Sequence, residues 1–314
     1  MTQWMWKTRL ARNGLALAAL LGATLGAPAL AQQVGTMVRV ETDRGPIDLQ
    51  LYDTDAPATV SNFLNYVRRG AFDGTFFHRL VKGFVMQGGG FKFNDAVLPH
   101  VSAVPSDPPV VNEFSASRSN LRGTLAMAKL GGNANSATNQ WFVNLANNAS
   151  NLDGQNGGFT VFGRVTAPGM LTVDAYAAGE IINASGCVTA MGASAGVLGD
   201  LPLGKALTTR SCDKIFSEHL VAMRSVRELP NRASASAADR IFNYIEAVYP
   251  QHAAPASQPT QTWEGYTYRY YPRTNAYAGT KGGRVFYLVP ALSPDIVDFA
   301  SEADLLAAAA AAGY

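Results

Sequence analysis

The chain has 314 residues, 47% of them hydrophobic and 15% charged, with a formal net charge of +2. That length and apolar content support a real core and more than one domain. The small net charge, without any run of Lys and Arg, offers no phosphate track and argues against nucleic acid as the main partner.

The first predicted element is not part of the fold. MTQWMWKTRLARNG carries Lys7, Arg9 and Arg12 and no acid, and LALAALLGATLGAPALA follows it. A basic start, a short apolar stretch and the small-x-small ending Ala29-Leu30-Ala31 predict a secretory signal peptide over 1–31, cut after Ala31. The apolar stretch is short for a membrane span and Pro28 interrupts it, so no stable membrane insertion is expected after cleavage. Loss of its three positive charges takes the net charge from +2 to −1. Export implies a periplasmic or secreted protein in an oxidising compartment. There Cys187 and Cys212 can form a disulfide, with two buried free thiols as the alternative. Only His219 lies near them, so no metal site is expected.

Val38 and Val40, then Ile47, Leu49 and Leu51, alternate with polar residues around Asp43-Arg44-Gly45, which predicts an antiparallel hairpin. A helix follows, with Asp55 as its cap, Pro57 in its first turn, Val60, Phe63, Leu64 and Val67 as its apolar stripe, and Gly70 as its stop. Strands are expected at 76–80 and 84–87, broken at Gly83. The stretch 92–111 reads as loop. Short strands follow at 124–128, 140–144 and 160–165, with Gly- and Asn-rich loops between them, and then a helix over 170–178. The loop GGNANSAT lacks the Lys-Ser/Thr ending of a phosphate loop, and no cofactor is expected. Many short strands with few helices favour an antiparallel barrel or sandwich, a mainly β fold. After about Ala184 the composition turns small and flexible, and 191–212 is taken as a connecting segment. A helix is expected over 234–249, with Ala238, Ile241, Ile245 and Val248 on one side and Pro250 as its stop. Beyond a linker at 252–261, Tyr266, Tyr268 and Tyr270 share one strand face, as do Val285, Tyr287 and Val289. A final helix starts at Ser301. Residues 213–314 thus form a small α+β unit, a helix plus a β-hairpin. Its tyrosines either pack on the 234–249 helix or form an interface.

Five motifs in order carry a specific pattern: FFHRLVKGFVMQGGG at 76–90, RGTLAMAK at 122–129, NQWFVN at 139–144, LDG at 152–154 and VFGRV at 161–165. Together they resemble the cyclophilin family of peptidyl-prolyl cis-trans isomerases, closest to its exported bacterial branch, over a domain spanning 34–190. The resemblance implies a closed eight-stranded antiparallel barrel capped by two helices, with the substrate groove outside the barrel. It implies Arg79, Gln87 and Gln140 as the catalytic set. It also implies Phe84, Val85 (where the family usually has Met), Ala128, Lys129, Phe142, Leu152 and Phe159 as substrate-binding positions. Phe159 stands where many relatives carry a groove histidine. Gln140 and Phe142, two residues apart, point to the same face of their strand. His78, alternating with Arg79, points the other way and is expected to be packed and neutral. Lys129 touches substrate or is simply solvated. The function so implied is isomerisation of X-Pro bonds in Pro-containing segments of exported proteins. The alternative is a non-catalytic module that binds such segments, with a C-terminal interaction unit.

Overall fold

The computed structural model describes residues 35–209, 211–230, 235–252 and 258–314. The expected signal peptide and its cleavage after Ala31 lie outside the described residues, as does the middle of the expected linker at 252–261. Among the described residues no helix is long and apolar enough to cross a membrane.

Met37–Thr42 and Gly45–Leu51 pair in the register that alternation demands, Val38 opposite Leu49 and Val40 opposite Ile47. These four side chains and Leu51 form part of the main core, each at most 1% exposed. The helix Pro57–Arg68 lays Val60, Phe63, Leu64 and Val67 on that core. Its start differs from expectation: the cap position is Ala56, and Asp55 does not cap. The Glu113 carboxylate instead accepts from the amides of Ala58 and Thr59, at 3.1 and 2.8 Å. A carboxylate at a helix N-terminus satisfies free amides and favours the helix dipole wherever in the chain it originates.

The expected closed barrel is corrected by the sheet topology. Eight strands do form one antiparallel sheet, in the order Ser225–Glu228, Met37–Thr42, Gly45–Leu51, Val161–Val165, Thr124–Met127, Trp141–Asn144, Val85–Gly88, Arg79–Val81. The sheet is open, because its two edge strands do not pair with each other. Both edges lead out of it at the seam. Thr75–Phe76, just before one edge, pairs with Ala222–Met223, just before the other, Phe76 opposite Ala222. These short strands belong to a second, four-stranded sheet completed by Phe91–Phe93 and Val101–Ala103. The Leu80 amide on the open edge donates to the Asp200 carbonyl at 2.8 Å instead of to a closing strand. Two of the four short strands fall in or beside the stretch read as loop. The helices Pro57–Arg68 and Ala167–Ala177 cap the large sheet, the second with Thr166 Oγ1 accepting from Gly169 N at 3.2 Å.

Residues 181–221 build a satellite core against the second sheet. Met191, Leu198, Leu201, Ile215 and Leu220 pack with Phe76 and Phe91. A disulfide joins Cys187 to Cys212, S–S 2.04 Å.

The C-terminal region carries the helix Ala237–Val248, capped by Ser236, and a five-stranded antiparallel meander from Gln261–Trp263 to Val297–Ser301. The helix Glu302–Ala312 follows, capped by Ser301 and ended by Gly313 at φ 103°. The Ala237–Val248 helix covers the outer face of the first hairpin, so both faces of that hairpin are buried. On the covered face Arg39, fully buried, pairs with Asp48 at 2.7 Å and with Glu246 of the helix. Arg269 of the meander pairs with Glu246 at 2.9 Å and Asp239 at 2.8 Å, and the Tyr314 hydroxyl donates to Asp48. Burial pushes the neighbouring Glu41 carboxyl up to about 7. Arg269 and Tyr271 are buried on the inner side of the meander, while Tyr266, Tyr268 and Tyr270 alternate to the other side. There Trp263, Tyr266, Tyr268, Tyr277 and Phe286 line a recess of about 350 Å³.

Candidate active site

One row of residues runs across the large sheet. Arg79 stands opposite Gln87, Gln87 opposite Phe142, Phe142 opposite Ala126, and Ala126 opposite Val161. Residues in register share a face, so this row presents a cation, an amide and an apolar strip in sequence. The neighbouring row, Leu80, Met86, Val143 and Leu125, points the other way, into the main core. Strand alternation therefore separates site from core residue by residue.

The apolar strip is a small cluster of its own. Val85, Ala126, Phe142, Leu152 and Val161 are its buried members, with Tyr52, Phe84, Ala128 and Phe159 half-buried around them. Phe84 sits in the turn before Val85–Gly88, and its carbonyl is held by Leu145 N and Asn148 Nδ2, both at 2.8 Å. Phe159 packs edge-on to Phe142, ring centroids 5.9 Å apart, and its amide donates to Leu152 O at 3.0 Å. The structure thus brings together Phe84, Val85, Ala128, Phe142, Leu152 and Phe159. Sequence reasoning missed Tyr52, Ala126 and Val161. The alternation of Thr124–Met127, with Leu125 and Met127 turned to the core, was the signal that could have found Ala126.

The polar end is ordered by contacts between side chains. Gln87 Nε2 donates to Gln140 Oε1 at 2.8 Å. A Cβ on Gly90 would lie 2.8 Å from the Gln140 side chain, so the glycine run after Gln87 makes room for it. The Arg79 side chain is 35% exposed, and its closest carboxylate is Asp200, Nε to Oδ2 3.6 Å. Asp200 was also missed, and no local sequence signal pointed to it. His78 is 2% exposed, packs edge-on to Phe91 at 4.8 Å, and is pushed down to about 4 by burial and then by the Arg79 charge. It is neutral near pH 7. Lys129 donates to the carbonyls of Asn156 and Gly158, at 2.8 and 2.6 Å, and its ammonium lies 4.7 Å from the Phe159 ring centroid. It is neither purely solvated nor free: it braces the loop that carries Phe159.

Chemically, this is an apolar cluster, buried at its centre and half-buried at its margin, with a permanent cation and two amides at one end. Fixed donors of this kind beside an apolar surface can stabilise charge that shifts during a reaction.

Residues 37–189 match the family model described as cyclophilin type peptidyl-prolyl cis-trans isomerase/CLD. The chain is 41% identical over 151 residues to peptidyl-prolyl cis-trans isomerase A of Dickeya dadantii, covering 48% of this chain and 76% of that protein. It is 41% identical over 157 residues to a peptidyl-prolyl cis-trans isomerase of Acinetobacter baylyi, covering 50% and 78%. With peptidyl-prolyl cis-trans isomerase B of Escherichia coli it shares 40% identity over 142 residues, covering 44% and 82%.

Proposed function

Since the chain belongs to the cyclophilin-type peptidyl-prolyl cis-trans isomerase family, we propose that it accelerates rotation about X-Pro bonds in exported polypeptides, with Arg79 stabilising the twisted amide. The barrier to this rotation is about 18–20 kcal/mol and comes from amide resonance. At about 20 kcal/mol the bond turns roughly once in 100 s, and a turnover near 1000 per second requires removal of about 7 kcal/mol. Half-way through the rotation conjugation is lost, and the proline nitrogen becomes pyramidal with a localised lone pair. A fixed donor aimed at that nitrogen acts only in the twisted state, which is the condition for raising kcat rather than tightening ground-state binding. Arg79 suits this role because its guanidinium stays charged at working pH and its donors form a rigid fork. Phe84, Phe142 and Leu152 grip the pyrrolidine ring while the preceding residue turns. The Gln87–Gln140 pair holds peptide carbonyls and orders the end of the groove beside the arginine.

The observation that carries this reading is the register Arg79–Gln87–Phe142, which sets cation, amide and ring on one face of three adjacent strands. The test is a proline-limited refolding assay on the mature chain. Arg79→Ala is expected to lower the acceleration at least 100-fold, a loss of about 3 kcal/mol, while binding of a Pro-containing peptide persists. Full turnover without Arg79 would overturn the arginine mechanism. The aromatic recess of the meander favours a second reading, in which the chain holds Pro-containing segments without turning them over. Peptide binding by the wild type with no acceleration of refolding would select it.

A further inference from the structure

The region beyond residue 189 lies outside the family match, yet it supplies the carboxylate closest to Arg79. We propose that Asp200 is a positioning residue for Arg79: its carboxylate holds the Nε side of the guanidinium and leaves both terminal nitrogens available to the peptide. This rests on the reading of Arg79 as the stabilising donor.

Three observations carry it. First, Arg79 stands on the open edge of the large sheet, with Gln87 opposite it on one side and no strand on the other. A long side chain at such an edge carries roughly 2 kcal/mol of rotamer entropy, and a wandering donor loses much of its preorganised effect. Asp200 occupies the vacant side. Second, the backbone that carries the 49% exposed Asp200 side chain is held firmly. Its carbonyl accepts from Leu80 N at 2.8 Å, one residue along from Arg79. Leu198 and Leu201, on either side of it in sequence, are 0% and 1% exposed in the satellite core. Leu201 pairs with Ile182, and the Cys187–Cys212 disulfide closes the stretch. Third, the contact has the geometry of orientation rather than capture. The closest approach is Nε to Oδ2 at 3.6 Å, beyond hydrogen-bond range. A bidentate fork on the terminal nitrogens would have withdrawn the donors from the site. The adjacent His78 is neutral and supplies no competing charge near pH 7.

The test separates kcat from KM by NMR exchange on a short Ala-Pro peptide, using the mature chain and its Asp200→Asn, Asp200→Glu, Arg79→Ala and double Arg79→Ala/Asp200→Asn variants. Asp200→Asn is expected to lower kcat about three-fold, the scale of a partly exposed ion pair, with KM changed less than two-fold. Asp200→Glu restores at least half of that loss. On the residual turnover of Arg79→Ala, the added Asp200→Asn has no effect. Unchanged kcat in Asp200→Asn overturns the proposal, and so does an equal loss with Arg79 absent, which would make Asp200 merely structural. If Arg79→Ala retains full turnover, the arginine reading has failed. If Arg79→Ala is slow and Asp200→Asn is as fast as wild type, only the positioning role has failed.

Discussion

Beside the site, His78 shows most plainly how one residue's surroundings decide its role. It neighbours Arg79 in sequence but faces the opposite way, against Phe91. Its folded value near 4 lies below the ordinary 6.5, so between those values the unfolded chain binds a proton that the native chain refuses. Stability from this group is fully present above about pH 6.5 and is lost as pH falls towards 4, amounting to about 3 kcal/mol. Glu41 runs the opposite way: its raised value gives stability present at acid pH and lost as pH rises through about 7. The two are separated by comparison. Denaturant unfolding of wild type and His78→Gln at pH 7 and pH 4 should show wild type losing about 3 kcal/mol more than the variant. Equal losses would mean that His78 protonates freely in the native state. At this scale much of the candidate site was legible, because Arg79, Phe84 and Gln87 fall within one short motif and alternation sets Arg79 and Gln87 on one face, which Phe84 joins from the turn before its strand. Asp200 was not legible, because it reaches Arg79 only through the tertiary course of residues 181–221.

Elements were legible where local pattern and tertiary partner agree. The first hairpin announces itself by alternation, and Ser301 caps the final helix where the sequence starts it. Phe91–Phe93 and Val101–Ala103 did not, being three residues each in a proline-rich stretch and existing only because they pair with each other and Phe91–Phe93 pairs with Thr75–Phe76. The satellite segment poses the same problem, and its disulfide is the device that holds it. Closing a span of 25 residues is worth about 3 kcal/mol in lost unfolded-state freedom. That effect should be local. In a Cys187→Ser/Cys212→Ser variant, hydrogen exchange at the Ala184 and Leu80 amides, which donate to Leu198 and Asp200 carbonyls, should speed by about 100-fold. The Val143 amide in the main sheet should be unaffected. Uniform speeding at all three would show that the segment is no separate unit.

For the molecule as a whole, chain order and spatial order part company at residue 220. Val221, Met223 and Val226 are at most 3% exposed in the main core, and Ser225–Glu228 is the edge partner of Met37–Thr42. No local pattern encodes that return, because a strand's sequence states that it will pair but not with which neighbour. The hairpin's charged face was equally opaque: Arg39 and Asp48 look solvent-facing by alternation, yet a helix some 200 residues away supplies Glu246 to bury them. These two facts predict where the chain can be cut. A fragment of residues 32–190, which the resemblance alone would delimit, lacks three side chains of the main core, besides much of the satellite core, and leaves the Met37–Thr42 edge bare. At about 2 kcal/mol for each buried side chain the main-core loss is near 6 kcal/mol, comparable to the whole stability of a typical domain. A fragment of residues 32–230 keeps those contacts and loses the cover over Arg39 and Asp48, which water can then solvate, and the small apolar cluster that Ala247, Ala309 and Tyr314 form with Met37 and Leu229. Circular dichroism and denaturant titration should find the longer fragment cooperatively folded and active in refolding assays. The shorter one should be unfolded or aggregated through its bare edge. A cooperatively folded, fully active 32–190 fragment would show instead that the strand at 225–228 is an ornament on a sheet complete without it.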